Sequence, residues 1–244
     1  LRLPYLVGTL RLSLKTAIPI NLTVSLATLL AALPARLYTL DTKSMKPFLY
    51  ETTALAVGAV MGAYVGVSSL GQVSAISLRR AVFAILLVLG LVMIAESALQ
   101  ITPIGILREP FVFRIISGLA LGTVIGGVSG LLGVAGGEIV IPTFILGFSA
   151  PIKSAGSLSQ MVSIPTVLTG VIRHYRAGNL ADRQILTRII LPMSAGAIAG
   201  GIAGGLLSGL VPAALLKALL GIILITSSIK VFRRTKSEDG LITA

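Results

Sequence analysis

Long apolar segments, each ended by a short polar connection, recur along the whole chain. A helix needs about 20 apolar residues to cross the roughly 30 Å hydrocarbon core of a bilayer. The pattern predicts spans near residues 17–36, 50–70, 79–100, 111–133, 155–173, 186–208 and 212–232. Two apolar pieces, residues 1–10 and 139–148, are too short to cross, and each has a proline at its fourth position. We therefore predict an all-α polytopic membrane protein with about seven crossing helices and two short re-entrant or half-helix segments.

A shift of 138 residues superimposes the first part of the chain on the second without a gap, placing Pro4 on Pro142 and Lys15 on Lys153. It also places one glycine ladder, at residues 58, 62 and 66, on another, at residues 196, 200 and 204. Paired repeats with broken helices are a common plan of secondary transporters. We interpret residues 1–244 as one integral membrane domain, with residues 1–110 as the first repeat and 111–244 as the second.

Residues 111–138 have no counterpart under this shift, because theirs would lie before Leu1. We expect the natural precursor to carry one more glycine-bearing transmembrane segment upstream, so that the first repeat lacks its glycine-rich helix. Regular spacing of four places each glycine ladder on one helix face, and close helix packing is the role we favour for both ladders.

Composition narrows the class of protein. With 55% hydrophobic residues, 11% charged residues and a mean hydropathy of +1.00, the chain must have lipid over much of its apolar surface. The net charge of +12 comes from basic residues in short connections, so it indicates membrane topology and no nucleic-acid partner. The chain has no cysteine and one histidine, His174, so we predict no metal and no cofactor. No catalytic motif is present, and we predict that the protein is not an enzyme.

The basic residues also bear on orientation, because positive charge concentrates in cytoplasmic connections. If residues 111–133 cross and the short pieces dip and return, the two copies are parallel and the basic residues divide 13 to 6. If residues 111–148 form one re-entrant hairpin, the copies are inverted and the division is 12 to 7. Both arrangements place the C-terminus in the cytoplasm. We favour the parallel one, because a 23-residue apolar stretch is long enough to cross.

A glycine-rich stretch, GGVSGLLGVAGGEIVIP, occupies residues 126–142. Each glycine lowers helix propensity by about 0.8–1 kcal/mol relative to alanine, and Pro142 removes a backbone donor. We therefore predict that the helix stops near Gly133 and restarts after Pro142. Unpaired backbone is tolerated at membrane depth only where protein or a water-filled cavity supplies partners. The break should line a cavity, in which helix N-termini suit an anion.

The block GLLGVAGGEIVIP and the following KSAGSLSQMVSIPTVLTGVIRHYRAGNL resemble the sulfite exporter TauE/SafE family, also called the toluene sulfonate uptake permease group. The first copy resembles it through LRLPYLVGTLRLSLKTAIPINLTVSLATLLAALPARLY. The chain departs from the family where the upstream GGG block is absent, and where Ala135 precedes Gly136 and Gly137 in place of a third glycine. The resemblance implies about eight spans in two repeats, and export or uptake of small sulfur-containing anions or organosulfonates across the cytoplasmic membrane.

Each short piece is followed by a polar cluster at the start of a span. Polar groups are costly in lipid unless they are paired, so we predict that these clusters line one central cavity; hydrogen bonding within each helix is the alternative. With the break, they form the predicted substrate-binding set: Pro19, Asn21, Ser25, Gly136, Gly137, Pro142, Ser157, Ser159, Gln160 and Ser163. Asn21 and Ser159, which the repeat superimposes, are the favoured pair.

Four charged or titratable positions complete the candidate chemistry. Lys15 and Lys153 either attract anions or extend to the membrane surface. Glu138 beside the break either couples transport to protons or caps a helix at the surface, and both interpretations stay open. We expect Glu96 at the membrane interface and His174 in a solvated loop.

The sequence predicts a secondary transporter for a small anion such as sulfite, thiosulfate or an organosulfonate, with proton coupling left open. A passive anion channel is the alternative, and concentrative uptake distinguishes the two. Lipid and the small anion are the expected partners, and a homo-oligomer is left open.

Overall fold

The computed structural model describes residues 5–6, 10, 12, 14–39, 42–68, 75–99, 110–133, 136–178 and 185–242. Regular structure in these ranges is helical throughout. The helices are α1 (Leu14–Thr39), α2 (Leu49–Ser68), α3 (Ala75–Leu99), α4 (Phe111–Leu132), α5 (Gly137–Pro142), α6 (Ile152–Arg176), α7 (Leu191–Leu210) and α8 (Ala213–Ile242). Two 3-10 turns, Thr42–Ser44 and Lys46–Phe48, precede α2, and π-helical turns at Thr143–Gly147 and Leu186–Ile190 follow α5 and precede α7.

Five helical segments in the described part are long and apolar enough to cross a membrane. They are Thr16–Arg36, Lys46–Val67, Phe111–Leu131, Ile152–Arg176 and Leu186–Leu210. These segments confirm a polytopic, all-α membrane protein and coincide with five predicted spans. The other two predicted spans fall on α3 and α8, whose described apolar stretches, Phe83–Ala98 and Ala213–Ile229, are shorter. The total of seven stays a prediction.

The chain forms two compact units. The first contains Leu1–Leu70 and Gly105–Leu210, and the second contains Gly71–Ile104 and Val211–Ala244. Each unit therefore combines segments from both predicted repeats. The repeat boundary at residue 110 and the single-domain interpretation stay predictions.

In the first unit, α2 and α4 pack backbone to backbone along the first glycine ladder. A Cβ atom added to Gly62 would overlap the carbonyl oxygen of Thr123 and lie 2.7 Å from the amide nitrogen of Gly127. The backbone of α4 is similarly close to Gly58 and Gly66. Contacts of this kind are typical of small-residue helix interfaces in membranes. The packing role predicted for this ladder is confirmed, and the order of the contacts shows that α2 and α4 run in the same direction.

The second ladder does not pack in this way. Within the described part of the chain, nothing lies within 4 Å of a Cβ atom added to Gly196, Gly200 or Gly204. Helix α7 instead approaches α1 through Gly201 and Gly205. A glycine spacing specifies a smooth helix face but not the helix that covers it, so the packing role of this ladder stays a prediction.

Helices α1 and α6, which the 138-residue shift superimposes, run in opposite directions. Arg36, near the end of α1, lies against Gly156, near the start of α6, whereas Leu22 contacts Gly170 near the end of α6. The favoured parallel arrangement of the two copies is therefore wrong, and the first unit has the inverted arrangement. The duplication itself stays a prediction from the sequence.

The turn after α4 explains the inversion. Gly136 lies back against Ile125 and Ser129 of α4, and Gly137 lies beside Ser163 in the middle of α6. Helix α5 thus returns toward the end of the unit at which α4 began. The length of α4 correctly indicated a crossing helix, but α5 reverses the direction of the chain before α6 begins.

We call the end of the first unit at which α4 begins the Lys153 end. Here the Lys153 ammonium donates a hydrogen bond to the Gly209 carbonyl oxygen at 2.8 Å, joining the start of α6 to the end of α7. The hydroxyls of Ser44 and Ser154 are hydrogen-bonded at 2.9 Å. Helix α2 also begins here, and the Arg114 guanidinium of α4 pairs with the Glu51 carboxylate of α2 at 2.6 Å.

The second unit is built on the antiparallel pair α3 and α8. A Cβ atom added to Gly90 would lie 3.0 Å from the carbonyl oxygen of Gly221, so the two backbones are close. Glu96 is only 7% exposed and pairs with Lys217 at 3.3 Å. A cation of the facing helix thus allows the carboxylate to be buried, and the interfacial depth expected for Glu96 stays a prediction.

Candidate functional site

The site is built around the interruption between α4 and α5. Helix α4 ends at Leu132, and Gly133 follows with φ 65°, its N–H donating to the Ser129 carbonyl oxygen at 2.8 Å. Gly136 has φ 71° and precedes the first residue of α5. Glycine adopts these left-handed conformations without the steric cost that a Cβ atom imposes. The predicted stop near Gly133 is confirmed.

The helix restarts at Gly137, earlier than the sequence indicated. The N–H groups of Ile139 and Val140 donate to the Gly136 carbonyl oxygen, and Pro142 lies inside the helix. The predicted restart after Pro142 is therefore wrong. A proline removes only its own donor, and the chain continues from Pro142 into the π-helical turn Thr143–Gly147.

Asn21 connects α1 to the break. Its side-chain amide donates to the Gly133 carbonyl oxygen at 2.6 Å across 112 residues of sequence, and the bond is buried. Ile18, one turn earlier, packs on the Cα atom of Gly133, where an added Cβ atom would lie 2.6 Å from its Cγ2. Asn21 thus satisfies a carbonyl group that the end of α4 leaves without a helical partner.

Ser163 brings α6 to the other side of the break. A Cβ atom added to Gly137 would lie 3.7 Å from its hydroxyl oxygen. Ser163 is buried, and its hydroxyl has no hydrogen-bond partner among the described residues. Ser129 of α4 is also close to the turn, since its hydroxyl oxygen lies 3.8 Å from a Cβ atom added to Gly136. The start of α5 therefore faces buried hydroxyl groups.

The remaining polar residues of α6 divide into two kinds. Ser159 donates to the Gly156 carbonyl oxygen and Thr166 to the Val162 carbonyl oxygen, which is hydrogen bonding within the helix. By contrast, the hydroxyl of Ser157 and the side-chain carbonyl oxygen of Gln160 are buried and have no hydrogen-bond partner among the described residues. Hydrogen bonding within the helix, which is the alternative to lining a cavity, therefore holds for Ser159. Ser157 and Gln160 each keep a side-chain polar atom available for another partner.

The polar residues of α1 follow a similar division. Thr23 donates to the carbonyl oxygen of Pro19, and Thr28 donates to that of Val24. Pro19 lies inside α1, and Ser25 is partly buried. The side chain of Lys15 lies outside the described part of the structure.

The structure does not bring Asn21 and Ser159 together. Residue 22 lies opposite residue 170 and residue 36 opposite residue 156, so Asn21 and Ser159 are separated by about 12 residues, or ~18 Å, along α6. The pairing assumed that equivalent residues of the two copies lie at one depth. In antiparallel helices, equivalent residues lie at one depth only near the middle. There Ser25 lies near the level of Thr166, and Thr28 lies near the level of Ser163.

The sequence left two alternative roles open for each of Lys153 and Glu138, and the structure gives the surroundings of both. Lys153 caps the last turn of α7, where a cation also interacts favourably with the helix dipole. Glu138 lies in the first turn of α5, next to Gly137 and therefore beside the middle of α6. This position favours a carboxylate inside the unit over one that caps a helix at the surface.

Sequence reasoning missed the environment of Arg36 and His174. In the sequence, Arg36 contributes only to the count of basic residues that predicts membrane orientation. In the structure its guanidinium lies on Gly156 inside the first unit. The prediction of a solvated loop for His174 is wrong, because this residue is 2% exposed in the last turn of α6. The sequence contained one indication that these two residues have related positions, since the 138-residue shift superimposes Arg36 on His174.

The apolar helices, the interrupted helix and the buried polar groups beside it are features typical of polytopic membrane transporters. The sequence model of the family described as sulfite exporter TauE/SafE matches residues 118–243, and the chain belongs to this family. The chain is also similar to the probable membrane transporter protein YunE of Bacillus subtilis (strain 168), with 29% identity over 133 residues. That match covers 50% of this chain and 48% of the relative, about half of its length. No solved structure matches the chain.

Proposed function

We propose that the protein is a secondary transporter that moves a small sulfur-containing anion across the cytoplasmic membrane. The observation that carries the proposal is the interruption between α4 and α5, where Gly133 and Gly136 are buried and Gly137 lies against the hydroxyl of Ser163. Sulfite, which the name of the family mentions, is the first candidate substrate, and thiosulfate and small organosulfonates are the others.

An anion that leaves water needs hydrogen-bond donors in exchange for its hydration shell. The first backbone hydrogen bonds of α5 are donated by the N–H groups of Ile139 and Val140. The N–H groups before them have no acceptor within the helix. The Ser163 hydroxyl can donate as well, and glycine at residues 136 and 137 lets the anion approach the backbone closely. In this proposal the anion contacts Gly136, Gly137 and Ser163, Gln160 and Ser157 lie farther along α6, and Asn21 holds the break in place.

The inverted arrangement supports alternating access. Inverted repeats can expose one central site to either side by moving one group of helices against the other. The close backbone packing of α2 on α4 favours the movement of these two helices as one body. Because Ser25 and Thr166, and likewise Thr28 and Ser163, lie at nearly matching levels near the middle of α1 and α6, we expect the centre of the movement there.

Orientation follows from the same arrangement. With inverted copies, the basic residues divide 12 to 7, and the larger group contains Arg173, Arg176 and the C-terminal segment. From the positive-inside rule we infer that the C-terminus lies in the cytoplasm and the Lys153 end on the opposite side of the membrane.

We assign proton coupling to Glu138. A carboxylate in the first turn of α5 repels an anion at the break, and protonation removes this repulsion. Anion and proton therefore bind together, and a proton gradient drives the anion in the direction in which protons flow.

The test uses the purified protein in proteoliposomes with labelled sulfite, thiosulfate and a small organosulfonate. Ser163→Ala should lower the initial uptake rate, whereas the control Ser208→Ala should not. Ser208 is also buried, but its hydroxyl bonds within α7 to the Gly205 carbonyl oxygen. Uptake of every tested anion at the rate of empty liposomes would refute the proposal.

The same assay separates a carrier from a channel. Accumulation above the external concentration under a proton gradient indicates a carrier, and equilibration alone indicates the channel alternative.

A further inference from the structure

One face of α6 joins the break to a partly buried arginine. Gly156, Gln160 and Ser163 are spaced by four and three residues, so they share this face. Ser163 lies beside Gly137 of the break, and Gly156 lies beside Arg36 of α1. The distance along α6 from residue 156 to residue 163 is ~10 Å, at about 1.5 Å per residue.

Arg36 is held closely against α6. A Cβ atom added to Gly156 would overlap Nη1 of Arg36 and would lie 3.2 Å from its Cζ and 3.6 Å from its Nη2. The guanidinium therefore rests on the Cα atom of Gly156, and only glycine leaves room for it. The same contact places the cation one helical turn from Gln160.

The polar atoms between the two ends are buried. The hydroxyl of Ser163, which can donate to an anion, has no hydrogen-bond partner among the described residues. Gln160 lies between the two ends, and its side-chain amide N–H groups are donors as well. Buried polar atoms normally have partners, and exceptions need a physical explanation such as a bound ligand or water. A guanidinium has five N–H donors in a planar fork, so it can bind an oxyanion while it keeps other hydrogen bonds.

We propose that Arg36 and Gly156 form a second anion subsite, toward the Lys153 end, on a path along α6 that leads to the break. The ligand is a small oxyanion with two oxygens that the guanidinium can bind together, such as a sulfonate or sulfite. This inference rests on the proposed function and adds to it an entry or exit position that the break does not supply.

The experiment measures the concentration dependence of sulfite and thiosulfate uptake by the full chain in proteoliposomes. Arg36→Gln should raise KM about tenfold or more, because a charge-assisted contact is lost. Arg36→Lys should recover part of the effect, since it keeps the charge without the fork. Gly156→Ala keeps the charge but displaces it, so it should also raise KM.

Two controls separate this result from general effects. Lys46→Gln removes an exposed positive charge that precedes α2, and Gly200→Ala adds a methyl group where nothing described lies within 4 Å. Both should transport as the wild type does. Thermal melting in detergent identifies any variant that fails to fold, in which case the Gly156→Ala and Arg36→Lys variants decide the outcome.

Each result has a distinct meaning. If Ser163→Ala lowers uptake while Arg36→Gln and Gly156→Ala keep the wild-type KM, the subsite is refuted and the proposed function stands. If Lys46→Gln raises KM as much as Arg36→Gln, the effect is general attraction by charge and the subsite is again refuted. If the wild-type protein transports no tested anion, the proposed function fails and the subsite fails with it.

Discussion

Substituting Gly62 by alanine tests the packing on which the first unit depends. The added Cβ atom would lie 2.7 Å from the Gly127 nitrogen and 2.8 Å from the Thr123 carbonyl carbon, and it would overlap the Thr123 oxygen. Carbon atoms in contact are normally about 3.5–4.0 Å apart, so α2 and α4 must separate by roughly 1 Å. A gap of this size forfeits about a quarter to a half of the dispersion energy of the atoms that part.

The matched control is Gly200→Ala, which the repeat superimposes on Gly62. Its Cβ atom meets nothing within 4 Å in the described part of the chain. Both substitutions gain the same helix propensity, about 0.8–1 kcal/mol in water, so this contribution cancels in the comparison. Overpacking typically costs about 1–3 kcal/mol, and we expect Gly62→Ala to be less stable than Gly200→Ala by that amount.

Thermal melting of the two purified variants in the same detergent checks this expectation. Gly62→Ala should melt several degrees below Gly200→Ala, and Gly200→Ala should melt at or above the wild-type temperature. Equal melting temperatures would show that α2 and α4 are not in backbone contact at Gly62.

Three further experiments test individual residues. Asn21→Ala leaves the Gly133 carbonyl oxygen without its donor and should cost about 1–3 kcal/mol; wild-type melting would contradict this hydrogen bond. Glu138→Gln should abolish the stimulation of uptake by an inward proton gradient, and unchanged stimulation would remove the coupling role. Alanine substitutions of Glu96 and Lys217, alone and together, should show a coupling energy of about 0.5–3 kcal/mol in a double-mutant cycle; additive effects would rule out the ion pair.

The break was predictable because its cause is local. Several glycines within one apolar stretch weaken the helix wherever the stretch lies, and Gly133 and Gly136 adopt positive φ as the stop requires. The restart comes earlier than predicted because Pro142 costs the helix only one backbone donor. The spacing of Gly58, Gly62 and Gly66 likewise indicated a packing face, which α4 covers.

The environments of charged residues were harder to predict. Glu96 and His174 lie near the ends of apolar segments, and the sequence predicts the membrane interface for Glu96 and a solvated loop for His174. Glu96 is buried because Lys217 of α8 faces it, and His174 is buried in the last turn of α6. A contact with a residue more than 100 positions away leaves no mark in the local sequence.

Local composition was sufficient to predict the lipid surroundings, the helical class and the position of the break, because transfer to lipid and backbone hydrogen bonding depend on nearby residues. The packed fold was needed to show that α5 returns, that α1 and α6 are antiparallel, and that Asn21 meets Gly133 while Arg36 meets Gly156. These pairings depend on how helix surfaces fit together across the fold, and a helix of given sequence can present the same face to different partners.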